Sequence, residues 1–218
     1  MVRDLGVHLD SQLSTQAHIS KTMQTCFFHL WRLRQVRRLL GRDVTTNLVC
    51  AFVLSQLDYG NALLAGLPCT TIALLQCVIN TTVRLVYRLH SRDHVTAAAI
   101  ELHWLPIKAR IQDKLCLLVH LAINSTGKAP LYISNLLQPV LTLPDCHKVL
   151  WSGTKSDLQV PMTRLKFGER TFSVAAPKAW NDLPLHLHAI TNTDTFKRRL
   201  KTHFFCKFYD LEYDFMQA

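Results

Sequence analysis

His18–Gly41 reads HISKTMQTCFFHLWRLRQVRRLLG, and the reading of this stretch decides the fold. Ile19, Met23, Cys26, Phe27, Leu30, Leu33, Val36 and Leu40 keep three- and four-residue steps, which places them on one face of an α-helix that Gly41 ends. On one flank Phe27, Trp31, Arg34 and Arg38 follow at steps of four, three and four, so aromatic faces lead into guanidinium groups. An amphipathic helix must bury its stripe against a partner, and the next segments supply partners.

A second helix is expected from Asp43 as N-cap, with Val44, Leu48, Phe52, Ser55 and Tyr59 along one face until Gly60-Asn61 and Gly66-Leu67-Pro68 break it. A third is expected from about Thr71 to His90 through Leu74, Leu75, Val78, Leu85, Val86 and Leu89. Three amphipathic helices with short connections pack most simply as a bundle. His94 to Leu102 reads as a short helix stopped at Trp104-Leu105-Pro106, since proline disfavours helix in the residue before it. Ile107 to Asn124 carries Ile111, Leu115, Leu118 and Ala122 at helical spacing, with Gly127 just beyond, and APLYISNLL adds a turn or two.

From Gln138 to Pro161 the periodicity fails while proline, glycine, serine and threonine accumulate, the pattern of a linker. LQVPMTRLKFGERTFSVAAPKAWNDLP, interrupted by Pro161, Gly168, Pro177 and Pro184, reads as two short strands and an irregular buried turn. The last helix, capped by Thr193 or Asp194, places Phe196, Leu200, His203, Phe204 and Phe208 on one face. The fold class is therefore mainly α, with a helical bundle, further helices, a short β or irregular segment and a C-terminal helix.

With 49% apolar and 18% charged residues the chain buries a real core rather than remaining disordered. Lysine and arginine outnumber acids 25 to 15, giving a net charge of +10 and a pI of about 9.5, a balance that favours polyanionic partners. Seven cysteines without a C-x-x-C pair suggest reduced thiols in the nucleus or cytoplasm. The longest apolar run, Leu115 to Ile123, is interrupted by His120 and falls short of the ~20 residues of a membrane span, so no span, signal peptide or membrane partner is expected.

Nucleotide cradles, zincin helices and hydrolase elbows have no motif here. His90 with His94, and Cys146-His147, lack the further ligands of a zinc site, and no metal ligand is assigned. Asp58-Tyr59 lacks the second acid that two-metal polymerase chemistry needs, and Asp58 reads as a helix-end or turn residue; no catalytic residue is assigned. The basic residues say more. Beside Trp31, Arg34 and Arg38 stand Arg84, Arg88 and Arg92 on the third helix, Lys108, Arg110 and Lys114 on the fifth, Arg164, Lys166 and Arg170, and Lys197, Arg198, Arg199 and Lys201 on the last. Each group alone reads equally as a solvated face or as charge favoured by a helix dipole; together they make contact with a sugar-phosphate backbone a real alternative.

LGVHLDSQLSTQAHIS, LVCAFVLSQLDYGNALLAGLP, HVTAAAIELHWLPIKARI, APLYISNLL and RTFSVAAPKAWNDLP followed by TDTFKRRLKTHFF occur in this order and cover nearly the whole chain. Together they resemble the C-terminal part of the reverse transcriptase of jockey-like non-long-terminal-repeat (non-LTR) retrotransposons, RNA-directed DNA polymerases of mobile elements. The resemblance implies residues 1–12 as a remnant of the last palm strand, with Asp4 where the family has an aromatic. It further implies a thumb-like helical bundle over 13–92, a helical extension over 93–137, a linker over 138–160 and a C-terminal segment over 161–218. A palm strand without its sheet is expected to fray or to pack on the bundle as a makeshift edge.

The implied function is that of a truncated reverse-transcriptase-derived protein, inactive as an enzyme by itself. Its thumb-like helices would bind RNA or DNA weakly through Trp31, Arg34, Arg38, Arg84 and Arg88. It would hold no cofactor, the parent enzyme's magnesium being bound by residues this sequence does not contain. One alternative is a helical protein-interaction module captured from such an element, presenting Trp104, Trp151, Trp180, Phe204, Phe205 and Phe208 to a protein partner. Another is a polymerase part that acts in trans with a separately encoded palm.

Overall fold

The computed structural model describes residues 2–11, 14–124, 129–140, 157–165 and 167–211. The protein is mainly α-helical, with one two-stranded sheet among the described residues, and it divides into two compact units, Met1–Arg110 and Ile111–Ala218.

In the first unit the opening stretch is a hairpin rather than a single strand: β1 (Val2–Asp4) pairs antiparallel with β2 (Val7–Leu9), Asp4 opposite Val7. Leu5 and Gly6 make the turn at φ 43° and 81°, the left-handed region that two-residue hairpin turns require and glycine tolerates best. Val7 is buried, and Tyr59 Oη donates to the Leu5 carbonyl, so the hairpin is tied to the bundle. Of the two expected outcomes, fraying or packing on the bundle, the stretch takes the second, with its own second strand supplying the ladder.

Helix α1 (Gln16–Val36) buries Ile19, Cys26, Leu30 and Leu33 of the expected face, whereas Phe27 and Val36 are exposed and the helix ends before Leu40 rather than at Gly41. Gly41, not Asp43, precedes α2 (Arg42–Val49), and Thr45 lies buried with its hydroxyl donating to the Gly41 carbonyl at 2.8 Å. The expected face of the second helix is also displaced. A π-helical stretch, Cys50–Leu54, joins α2 to α3 (Ser55–Asp58), and the core is met by Val49, Val53, Leu54 and Leu57 while Val44, Phe52 and Tyr59 are exposed. The offset begins in α2, upstream of the π stretch: Thr45 and Val49 are buried and Val44 exposed, so the buried face lies one residue out of phase with the expected one from its start.

Helix α4 (Cys69–Tyr87) begins two residues before and ends three before the expected bounds; Leu75, Val78, Ile79, Val83 and Val86 form its buried stripe. By length and composition α4 is apolar enough to cross a membrane, with mean hydropathy 1.4, although the sequence reading found no candidate. That reading sought uninterrupted apolar runs, and α4 mixes threonine, glutamine and asparagine among its aliphatics. Its stripe packs against the bundle, α1 above all. After α5 (Thr96–Glu101) comes α6 (Ile107–Asn124), whose first amide donates to Gln76 Oε1 on α4 at 2.9 Å. The boundary between the two units falls within α6.

In the second unit, α7 (Leu131–Ser134) precedes the expected linker, most of which lies outside the described residues. Its described ends pair, the Gln159 amide donating to the Gln138 carbonyl at 2.8 Å. Of the segment read as short strands, Leu158 makes an isolated bridge with Pro139, the described residues 159–165 are irregular, and the rest is helical, a 3₁₀ turn (Gly168–Arg170) and α8 (Phe172–Asn181); α9 (Leu185–His188) follows it. Pro177 is buried inside α8, and Ala176, Pro177 and Trp180 recur on its inner face, so packing overrides the helix-breaking signal. Asn192, rather than Thr193 or Asp194, caps α10 (Thr193–Tyr209), its Oδ1 accepting from both Asp194 and Thr195 amides at 3.0 Å. Phe196, Leu200, Phe204 and Phe205 of α10 are buried; His120 stacks on Phe196 with centroids 4.0 Å apart.

Candidate nucleic-acid interface

In the first unit, α1 and the end of α4 enclose a groove of about 740 Å³. Trp31 and Arg34 line it from α1 and Arg38 from the turn that follows, Arg84 and Arg88 from α4 and its cap; all five residues singled out in the sequence meet there, and none of the lining residues is acidic. The helix period and the helix ends together explain the convergence. Positions 31 and 34 share one α1 flank, Arg38 and Arg88 follow the ends of α1 and α4, and both sets stand beside the buried α1–α4 seam.

A fifth arginine makes the groove possible, and it is not among the residues singled out in the sequence. Arg37 is only 7% exposed, and its guanidinium spans the seam: Nε donates to the Leu85 carbonyl at 3.0 Å, Nη2 to Val86 at 2.6 Å and Nη1 to Leu40 at 2.7 Å. Leu85 and Val86 belong to the last turn of α4, where carbonyls lack intrahelical partners and the dipole end is negative. Arg37 therefore covers what would repel an anion at this end of the groove. Burial, and then the neighbouring charge of Arg88, pull its pKa below the ordinary arginine value. The available signal was register: Arg37 lies a heptad after Leu30 and four residues after Leu33, hence on the buried side.

Arg88 sits in the left-handed region, φ 57° and ψ 36°, directly after α4, a position where glycine is usual. The amides of Arg88 and Leu89 both close on the Arg84 carbonyl, and Arg88 Nη2 reaches the Arg37 carbonyl at 3.3 Å. Arg84 donates through Nη2 to the Asp93 carbonyl, and its Nε is buried without an acceptor among the described residues. Arg34 and Arg38 are exposed, with no ion pair or hydrogen bond among the described residues.

The other basic groups are differently placed. Arg110 pairs with Asp58, Nη1 lying 2.9 and 2.7 Å from the two carboxylate oxygens, so Asp58 is an ion-pair partner rather than a turn former alone. Arg42 pairs with Glu101, and in the second unit Lys197 pairs with Asp194 and Lys207 with Asp182. Lys166 lies outside the described residues. The aromatic residues expected to offer docking surface are interior: Trp104, Trp180, Phe204 and Phe205 are buried and Phe208 half-buried, while Trp151 is outside the described residues. His90 lines the groove, its amide held by Asp93; Cys146 and His147 are outside the described residues.

Compared with family models, with curated proteins and with solved structures, the chain finds no match.

Proposed function

We propose that this chain is a reverse-transcriptase-derived, thumb-like helical module that has no polymerase chemistry of its own and binds the backbone of RNA or DNA weakly. The carrying observation is the groove between α1 and α4, where Arg34, Arg38, Arg84 and Arg88 converge beside Trp31 without an acidic residue in the lining. Guanidinium groups donate paired hydrogen bonds to phosphate oxygens, and a lining free of acids leaves to a ligand the donors of Arg34 and Arg38 and those of Arg84 and Arg88 not spent on the Asp93 and Arg37 carbonyls. The order of the family-like phrases along the chain supports the evolutionary part of the proposal.

Binding to labelled oligonucleotides, single-stranded and as an RNA–DNA hybrid, tests the reading. If each of the four arginines neutralises one phosphate, affinity falls roughly 50- to 150-fold between about 50 and 200 mM salt. Replacing Arg34 and Arg38 together by alanine halves that salt dependence. No binding of either nucleic acid at low salt refutes the proposal.

A further inference from the structure

We infer that the groove selects single-stranded over double-stranded nucleic acid, with an unpaired base stacked on Trp31; this rests on the nucleic-acid reading above. Trp31 is 61% exposed, and among the described residues no ring or guanidinium stacks on it. It stands on the groove wall one turn before Arg34, and Arg38 follows in the turn after α1, so an indole face and two guanidinium groups line one wall. Across the groove stand Arg84, on the last turn of α4, and Arg88, its left-handed cap, and the floor between the walls includes Leu30, Leu85 and Leu89.

Two features of this layout disfavour a duplex. The first is access. A duplex keeps its bases stacked inside and presents phosphates outside, so it can touch the arginine rim but cannot lay a base against Trp31 without unpairing it. The second is size and step. The groove, at about 740 Å³, is on the scale of small-molecule sites. Arg38 and Arg88 stand past the ends of α1 and α4, so the arginines do not keep the even ~3.4 Å advance of stacked nucleotides along a duplex. An unstacked, extended strand can meet successive arginines with successive phosphates while one base leaves the stack for the indole. Aromatic platforms beside basic tracks are the general means by which proteins hold single strands without reading sequence.

The test uses the full chain and three probes of matched length: single-stranded RNA, single-stranded DNA and the hybrid of the two. Both single strands are expected to bind at least ten times more tightly than the hybrid. Trp31→Ala is expected to weaken single-strand binding about 5- to 150-fold without changing the salt slope. Trp31→Phe keeps a ring and retains most of the affinity, whereas Arg34→Ala lowers the slope by about 0.7. Because Trp31 is exposed, these variants fold, and thermal melting verifies it. Equal affinity for single strand and hybrid, an alanine variant within twofold of the parent, or a phenylalanine variant as weak as the alanine one overturns the inference while leaving the backbone-binding reading intact. Failure of all three probes to bind at low salt overturns both.

Discussion

Replacing Arg37 should unfold the groove rather than merely empty it. Its guanidinium satisfies three carbonyls, those of Leu40, Leu85 and Val86, and it is almost wholly buried. Charge-assisted hydrogen bonds contribute about 1.5–3 kcal/mol each, so the gross loss on Arg37→Ala is roughly 4–9 kcal/mol. Leu40 and Leu85 are only half-buried, and water can reach their carbonyls once the side chain is gone. About 3–4 kcal/mol is the net expectation, much of it from the Val86 carbonyl and the uncapped end of α4. For a chain of this size that lowers Tm by roughly 8–15 °C. Arg37→Lys keeps a charge but not the three-way fork and should recover less than half of the loss. Arg34→Ala and Arg38→Ala, at exposed residues without partners among those described, should stay within about 0.5 kcal/mol of the parent. Calorimetric melting of the four variants beside the parent is the assay. If Arg37→Ala shifts Tm by less than about 3 °C, the capping argument is wrong. If Arg34→Ala destabilises as much as Arg37→Ala, so is the distinction between structural and ligand-facing arginines.

Arg88→Gly should leave Tm unchanged or raise it, because a left-handed residue with a side chain costs about 1 kcal/mol, yet it should weaken oligonucleotide binding; melting and binding on one sample compare the two. Gly6→Ala should destabilise the hairpin by about 1–2 kcal/mol, because φ is +81° and a β-carbon would stand 3.4 Å from the Tyr59 ring; amide exchange of Val2–Leu9 reports it. Acidification should destabilise the second unit. Burial lowers the pKa of His120, a backbone hydrogen bond with Thr191 opposing it weakly, and burial followed by Lys207 and His186 lowers that of His203. A histidine whose folded pKa lies below its unfolded value of about 6.5 binds more protons when unfolded. The stability is thus complete above about pH 6.5 and is lost as pH falls from there through the folded values. Urea melts from pH 7.5 to 5, followed by Trp180 fluorescence, should show it, and His120→Gln should flatten the profile.

Helices with an unbroken 3.6 period were legible in the sequence, and the departures have local causes. Ile107–Asn124 was delimited by its apolar spacing between Pro106 and Gly127, because neither proline nor glycine interrupts it. The Arg42–Asp58 region misled because two apolar stripes run side by side, and the buried one, Val49, Val53 and Leu57, lies one residue off the stripe that starts at Val44. Phe172–Asn181 misled because Pro177 is read locally as a breaker, whereas Trp180 and the residues around it are buried in long-range packing that no short window contains. The groove residues were legible for the same reason as the helices: stripes on α1 and α4 that flank a common seam must meet. Arg37 was hidden by its type, since an arginine in a buried register looks like an error of phase until the carbonyls it caps are known.

The arginines of this groove are not arranged as a stability argument alone would place them. The four ion pairs described in the fold give Arg42, Arg110, Lys197 and Lys207 a carboxylate each. In the groove Arg34, Arg37, Arg38, Arg84 and Arg88 gather without an acidic residue in the lining, at the cost of mutual repulsion. Two further terms run against stability there: Arg88 occupies a left-handed position, and Arg84 buries an Nε with no acceptor among the described residues. A merely solvated face would spread such charges and would need neither. A polyanion lying in the groove offsets the repulsion, and it binds the folded chain in preference to the unfolded one. Oligonucleotide should therefore raise Tm with concentration in the parent, and Arg34→Ala/Arg38→Ala should lose much of that rise although its own Tm is unchanged.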